Sequence, residues 1–144
     1  TTVAVHTAQL RFSTEGDGEV IDLTEGVQSV LETAGVDSGV VSVFVPGSTA
    51  AVTAMEYEPG GVQDLREALE RLVPRTRPEG GDYAHNTRNH DDNAHAHLRA
   101  SLVSPSLAIP LVRGSLVLGT WQQVVLIDFD DRPRDRSVHV QIVA

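Results

Sequence analysis

Between Arg136 and Val143 the chain alternates, with Val138, Val140 and Ile142 on one side and Ser137, His139 and Gln141 between them. A period of two belongs to a β-strand with one buried face; a helix would scatter these residues around its circumference. Such a strand needs partners, and the sequence supplies candidates. Gly39–Val45 is β-branched and nearly all apolar, Ala50–Met55 resumes after the break Pro46-Gly47-Ser48-Thr49, and Val124–Phe129 is another apolar run. Leu107–Val112, the turn Arg113-Gly114 and the return Leu116–Leu118 read as a hairpin. Thr2–Ser13 reads as a strand with a bulge near Thr7–Ala8, Val3 and Val5 on one side and Leu10 and Phe12 on the other. Val20–Leu23, after the turn Glu15–Glu19, is short enough to be a further strand.

Helical spacing marks two other stretches. Thr24 is expected to cap a helix carrying Val27, Val30, Leu31 and Ala34, with Gly35 where a left-handed C-terminal residue belongs. Val62–Val73 places Val62, Leu65, Leu69 and Leu72 in one apolar stripe and stops before Pro74. Pro74 to Asp92 is a long polar connection, of the kind that is usually functional or disordered. No internal repeat or linker divides the chain. The sum is an α+β fold in a single domain, 1–144, with a mostly antiparallel β-sheet packed with two or three helices.

The region Asp82–Val103 holds His85, His90, His95 and His97, four of six histidines, with Asn86, Asn89, Asn93, Asp91 and Asp92. Neutral imidazole is the commonest metal ligand and titrates near neutrality, so this stretch is the candidate site. As a helix, Asp92–Val103 puts Asn93 and His97 on one face; as a strand it puts Asn93, His95 and His97 on one side. Its alanine, leucine and arginine content and its acidic start favour the helix, and an irregular first turn would let His95 and His97 share a site. Three histidines around one open position are the usual catalytic zinc arrangement. His6 and His139 alternate within strands and read as structural. The turn at Ser48 and Thr49 has the make-up of an anion-binding turn. Glu56 and Glu58 could hold a metal or move a proton. Arg132, Arg134 and Arg136 could clamp phosphate, although a charged hairpin tip explains them as well. Trp121 is the sole tryptophan and is expected in the core.

Several chemistries are excluded outright. There is no cysteine, so no disulfide, thiolate zinc site or thiol nucleophile. All eleven basic residues are arginine, so there is no Schiff-base lysine and no phosphate-loop lysine. A net charge of −9 argues against a nucleic-acid partner. No apolar run reaches the roughly 18 residues of a membrane span, and with no charged-then-apolar leader the chain is expected to be cytoplasmic.

At Tyr83-Ala84-His85, Asn93-Ala94-His95-Ala96-His97-Leu98, Pro105–Pro110 and Leu118-Gly119-Thr120-Trp121-Gln122-Gln123, the chain resembles the YjbQ-like family, also called the secondary thiamine-phosphate synthase family. The likeness extends to the Pro46–Ala51 turn, Glu56, Asp64-Leu65 and the close Asp128-Phe129-Asp130 with Arg134-Asp135-Arg136, and so spans nearly the whole chain. Two departures stand out: Pro46-Gly47 where histidines often precede the hydroxyl pair, and His95 where an aspartate is usual. Both look like the archaeal branch.

The resemblance implies a homotrimer with a polar pocket around His85, Asn93 and His97 and a bound divalent metal ion. Zinc suits the ligands His85, His95 and His97, and an aspartate in place of His95 would also coordinate. It further implies an activity on a phosphorylated small molecule, named for joining a pyrimidine diphosphate to a thiazole phosphate. In that reading Ser48, Thr49, Thr120, Gln122 and Arg136 bind substrate, Glu56 and Asn93 are catalytic, and His90 has a loop role. A metal-assisted phosphoester hydrolase fits the same residues, and so does a trimer that binds a metal or ligand without chemistry.

Overall fold

The alternating segment is the centre of a sheet. Strand β8 (Arg134–Val143) lies between β1 (Val5–Thr14) and β3 (Gly39–Phe44), antiparallel to both. Strand β5 (Ser106–Val112) pairs with β3, and β6 (Ser115–Leu116) closes the edge, giving the order β1-β8-β3-β5-β6. A second sheet has the order β2-β7-β4, from Glu19–Asp22, Gln123–Asp128 and Ala50–Met55. Every pairing is antiparallel. The computed structural model describes residues 2–77 and 79–144.

The two sheets face each other across the main core. Val138, Val140 and Ile142 are wholly buried there, with Val41 and Val43 of β3 and Val124 and Leu126 of β7. Each such side chain contributes about 1.5–3 kcal/mol of burial free energy. Helix α1 (Thr24–Ala34) adds Val27 and Leu31 to this core. The other face of the smaller sheet, with Ala51, Val125 and Ile127, is covered by α2 (Pro59–Leu72) and α4 (Ala94–Val103). Ala96 and Ala100 are the α4 contacts, small enough to let the helix lie close on the strands.

The α+β reading and the antiparallel pairing hold, and four details change. Strand β1 has no bulge: its register with β8 is unbroken from Val5 to Thr14, and Val5 simply faces outward while Leu10 and Phe12 face inward. Helix α1 has no side-chain cap; Thr24 lies inside it, with its amide bonded to Asp22 Oδ1 at 2.9 Å. Helix α2 starts at Pro59 rather than Val62, because Glu58 caps it by accepting from the Gly60 and Gly61 amides at 2.8 and 2.9 Å. A fourth helix, α3 (Ala84–Asn89), lies within the connection Pro74–Asp92, whose Pro78 is outside the described residues. Among the described residues no helix is long and apolar enough to cross a membrane.

Candidate functional site

The histidine stretch is two short helices set against the end of the smaller sheet. Asn86 joins them. Its Oδ1 accepts from the Ala94 amide at 3.0 Å, and its Nδ2 donates to Asp82 Oδ1 at 3.0 Å. The first orphan amide of α4 is thus satisfied by a side chain of α3. This bond sets the two helices side by side, and His85 of α3 meets His97 of α4 with ring centroids 4.6 Å apart and planes at 44°. His90 ends α3 in the left-handed conformation (φ 52°) and is exposed, so its part is to turn the chain.

The floor of the site is the turn after β3. Val45 bonds to Pro105 O at 2.9 Å, Phe129 to Thr49 O at 2.9 Å, and Thr49 Oγ1 donates to Asp130 Oδ2 at 3.0 Å. Arg136 holds the turn from beneath: Nη2 donates to Thr49 Oγ1 at 2.7 Å and to Asp128 Oδ1 at 3.0 Å, while Nε donates to Asp128 Oδ2 at 2.7 Å. Thr14 Oγ1 completes the Asp128 shell at 2.6 Å. Only glycine fits at position 47, since a Cβ there would stand 2.6 Å from Arg136 Nη1 and the backbone has φ +150°.

Electrostatics follow from this packing. Burial, then the neighbouring His85, push the His97 imidazole below the ordinary histidine range; Asp130, Asp91 and the Ser48 backbone oppose that shift. Burial would raise Asp128, but hydrogen bonds from Arg136 and Thr14 more than reverse it. Asp130 behaves likewise: burial raises it, and bonds from Asp131, Thr49 and Arg134 hold it far below the usual carboxylate range. Asp131 moves the other way, pushed up to about 6 by its hydrogen bond to Asp92, by burial and by Asp130.

The expected residues therefore divide. His85, His97, Ser48, Thr49 and Arg136 come together at one end of the molecule. Asn93 is at the N-cap of α4, buried, with Oδ1 lacking any hydrogen-bond partner. Arg136 is 9 % exposed; Asp128 and Thr49 take its Nε and Nη2, so that side of the guanidinium braces the turn, while Nη1 lies beside Gly47. Glu56, Thr120 and Gln122 lie at the opposite end of β7, about 17 Å away at about 3.3 Å per residue. There Gln122 Oε1 accepts from the Gly119 amide at 2.9 Å.

His95 does not join His97. Both lie in the first turn of α4, which Ala96 and His97 close on Asn93 O at 3.0 and 3.3 Å, and two residues along a helix point about 200° apart. His95 is buried with Nδ1 unpartnered, and its imidazole is lowered by burial and then by Arg99 and Arg75, while His97 feels His85 and Asp130. Three histidines thus do not make a metal site within one chain. Among the described residues the one set of three ligand atoms within 4.8 Å of each other is Asp91, Asp92 and Asp131. Sequence reasoning named Asn86 and Asp130 but gave neither a role, because no spacing signal marks one; both act through bonds to residues apart from them in sequence. Trp121, expected in the core, is 72 % exposed.

A model of the UPF0047 protein YjbQ-like family matches residues 8–144. The chain belongs to that family. Among UPF0047 proteins, one from Methanothermobacter thermautotrophicus is 37 % identical over 138 residues, covering 96 % of this chain and 92 % of that one. Another, from Mycobacterium tuberculosis H37Rv, is 38 % identical over 125 residues, covering 86 % and 88 %. The fold is similar to a crystal structure of a YbjQ-like protein of unknown function from Sulfolobus solfataricus, with TM-score 0.91, 32 % identity and 99 % of each chain covered. It is also similar to a hypothetical protein from Aeropyrum pernix, with TM-score 0.85, 36 % identity, and 95 % and 97 % covered. The archaeal relatives agree with the branch suggested by Pro46-Gly47 and His95.

Proposed function

We propose that this YjbQ-like chain is an enzyme, assembled as a homotrimer, that uses the His85–His97 pair as acid and base on a phosphorylated small molecule. One observation supports this reading most: two imidazoles in contact beside an anchored Ser48–Thr49 turn, one of them, His97, kept neutral by burial. A neutral imidazole at neutral pH accepts a proton from an attacking hydroxyl or water. His85, half-buried beside it, returns a proton to the leaving oxygen. The Asn93 Oδ1 left without a partner orients a donor group of the substrate. The Ser48–Thr49 turn receives the phosphate, with Arg136 behind it holding the turn in place. A divalent ion here, zinc being favoured by imidazole, would have His85 and His97 as two ligands and would draw the rest from outside this pair.

The test is a panel of phosphate and diphosphate esters, thiamine precursors included, assayed for released phosphate or pyrophosphate on protein of measured metal content. His97→Asn and His85→Ala should each lower turnover by about 10²–10⁴-fold while leaving the fold intact. Absence of turnover on the whole panel, together with no binding of inorganic pyrophosphate, would reject the enzyme and leave a binding protein.

A further inference from the structure

The outer face of the five-stranded sheet is dressed as an interior. By register, the row Val5–Val143–Val40 is apolar, and the next two rows, running from Thr7 and Gln9 on β1 to Ala108 and Ser106 on β5, hold no carboxylate and no arginine. At 22 % charged residues, the twelve positions of these three rows would carry about two or three charges by chance. A solvated antiparallel face is ordinarily polar and charged, whereas depletion of charge with retained apolar groups marks the centre of an interface. The face also holds a hollow of ≈ 570 Å³ lined by Phe44, Pro46 and His139. Pro46 leads directly into the Gly47–Thr49 turn of the candidate site.

At the far end of the molecule stands the opposite feature. Trp121 is 72 % exposed, yet it is not on a loose loop. The Gln122 amide bonds to Gly119 O at 3.0 Å, and Gln122 Oε1 accepts from the Gly119 amide at 2.9 Å, closing the turn that presents the indole. Tryptophan is among the residues most enriched at the anchoring points of interfaces.

We propose that Trp121 of a second copy of this chain seats in the Phe44–Pro46–His139 hollow, so that each site is completed by the neighbouring copy's Thr120-Trp121-Gln122 segment. The inference rests on the trimeric reading above. A trimer built from one kind of contact is heterologous, hollow to tryptophan around a ring, and the two features are different patches of the chain, the hollow on the five-stranded sheet and Trp121 before β7 of the other, as that requires. The areas agree in order of magnitude. Four strands about 4.8 Å apart and about seven residues long present on the order of 400 Å² in projection. A seated indole adds about 150–250 Å², against roughly 800 Å² per partner in a stable interface. The contact also explains why Thr120, Gln122 and Glu56 lie far from His85 and His97 within one chain: each neighbour delivers them across the boundary.

The sole tryptophan makes the test direct. Acrylamide quenching of Trp121 emission is measured alongside the solution mass by light scattering. The expected result is a trimer in which Trp121 is quenched several-fold less than free N-acetyltryptophanamide. Phe44→Glu, placed in the hollow and not on the tryptophan turn, should raise quenching to nearly the free value. Ser106→Glu, on the same exposed rim, gives the same reading if Phe44→Glu fails to fold. A trimer whose Trp121 is quenched like the free indole overturns the docking and leaves the trimer standing. A monomer overturns both. Folded hollow variants that keep Trp121 protected place the indole elsewhere and overturn the proposal.

Discussion

Arg136 and Asp128 form a two-point ion pair inside the protein, Nε to Oδ2 at 2.7 Å and Nη2 to Oδ1 at 3.0 Å, with side chains 9 % and 0 % exposed. The pair joins the two sheets at the end where the candidate site lies, and the same guanidinium holds Thr49. Removing one partner would strand the other charge in the interior. Arg136→Ala should therefore lower unfolding free energy by about 3–5 kcal/mol, read from urea denaturation. Arg136→Lys cannot span both carboxylate oxygens and Thr49, and should recover only part of the loss. A loss under about 1 kcal/mol for the alanine variant would mean that the pair behaves as a surface salt bridge.

The link between the helices is open to a finer test. Asn86→Ala removes the acceptor of the buried Ala94 amide, which costs about 1–3 kcal/mol when a buried donor is left unsatisfied. Asn86→Asp retains the acceptor but loses the donor to Asp82 and sets a second carboxylate against it, so it should recover only part of that loss. Because the same bond aligns His85 with His97, the alanine variant should also broaden both imidazole signals in NMR spectra. Sharp, unshifted histidine signals in Asn86→Ala would show that the pair is aligned by other contacts.

His97 carries a like charge for a neighbour. Its folded-state value lies below the ordinary histidine value, so the native state favours the neutral ring, and the stability this contributes is lost as pH falls below that ordinary value. Replacing His85 with alanine removes a charge that lowers His97 and should raise its midpoint; Asp130→Asn removes a charge that raises it and should lower the midpoint. Histidine NMR titrations of the two variants must shift in opposite directions for this account to stand.

These relationships were unequally legible in the sequence. Val138, Val140 and Ile142 announce β8 because burial on one face imposes a period of two, and Val124–Phe129 announces β7 by its apolar run. Helix α3 has no apolar stripe to announce it. Side-chain bonds hold its region in place, Asn86 to Ala94 and the Tyr83 hydroxyl to Pro74 O at 2.6 Å. The start of α2 was hidden because Pro59-Gly60-Gly61 reads as a loop, although proline suits the first helical position and Glu58 supplies the cap. His85 and His97 were legible as candidates by type, and their meeting depends on how two helices pack. His95 was misplaced because composition cannot say which side of a helix faces the site. Trp121 was misplaced because its residue type suggests burial, whereas the Gly119–Gln122 turn that carries it has no periodicity to say which way it points.

The carboxylates near the site pull stability in two directions as pH changes. Asp128 and Asp130 are lowered, so their contribution is present above the ordinary carboxylate value and is lost as pH falls below it. Asp131 is raised to about 6, so the native state binds its proton more tightly than the unfolded chain does. Its contribution is complete at low pH and is lost as pH rises through about 6, when Asp92, Asp130 and Asp131 must all be charged together. Stability should therefore fall from about pH 5 to about pH 7, beyond any change from the histidines. Asp131→Asn removes that alkaline loss. It should raise Tm at about pH 8 and leave it unchanged or lower at about pH 4.5, where the wild-type carboxyl is already protonated. Thermal unfolding of the two proteins at both pH values decides the matter: an equal shift at each would mean that the substitution acts through packing and not through charge.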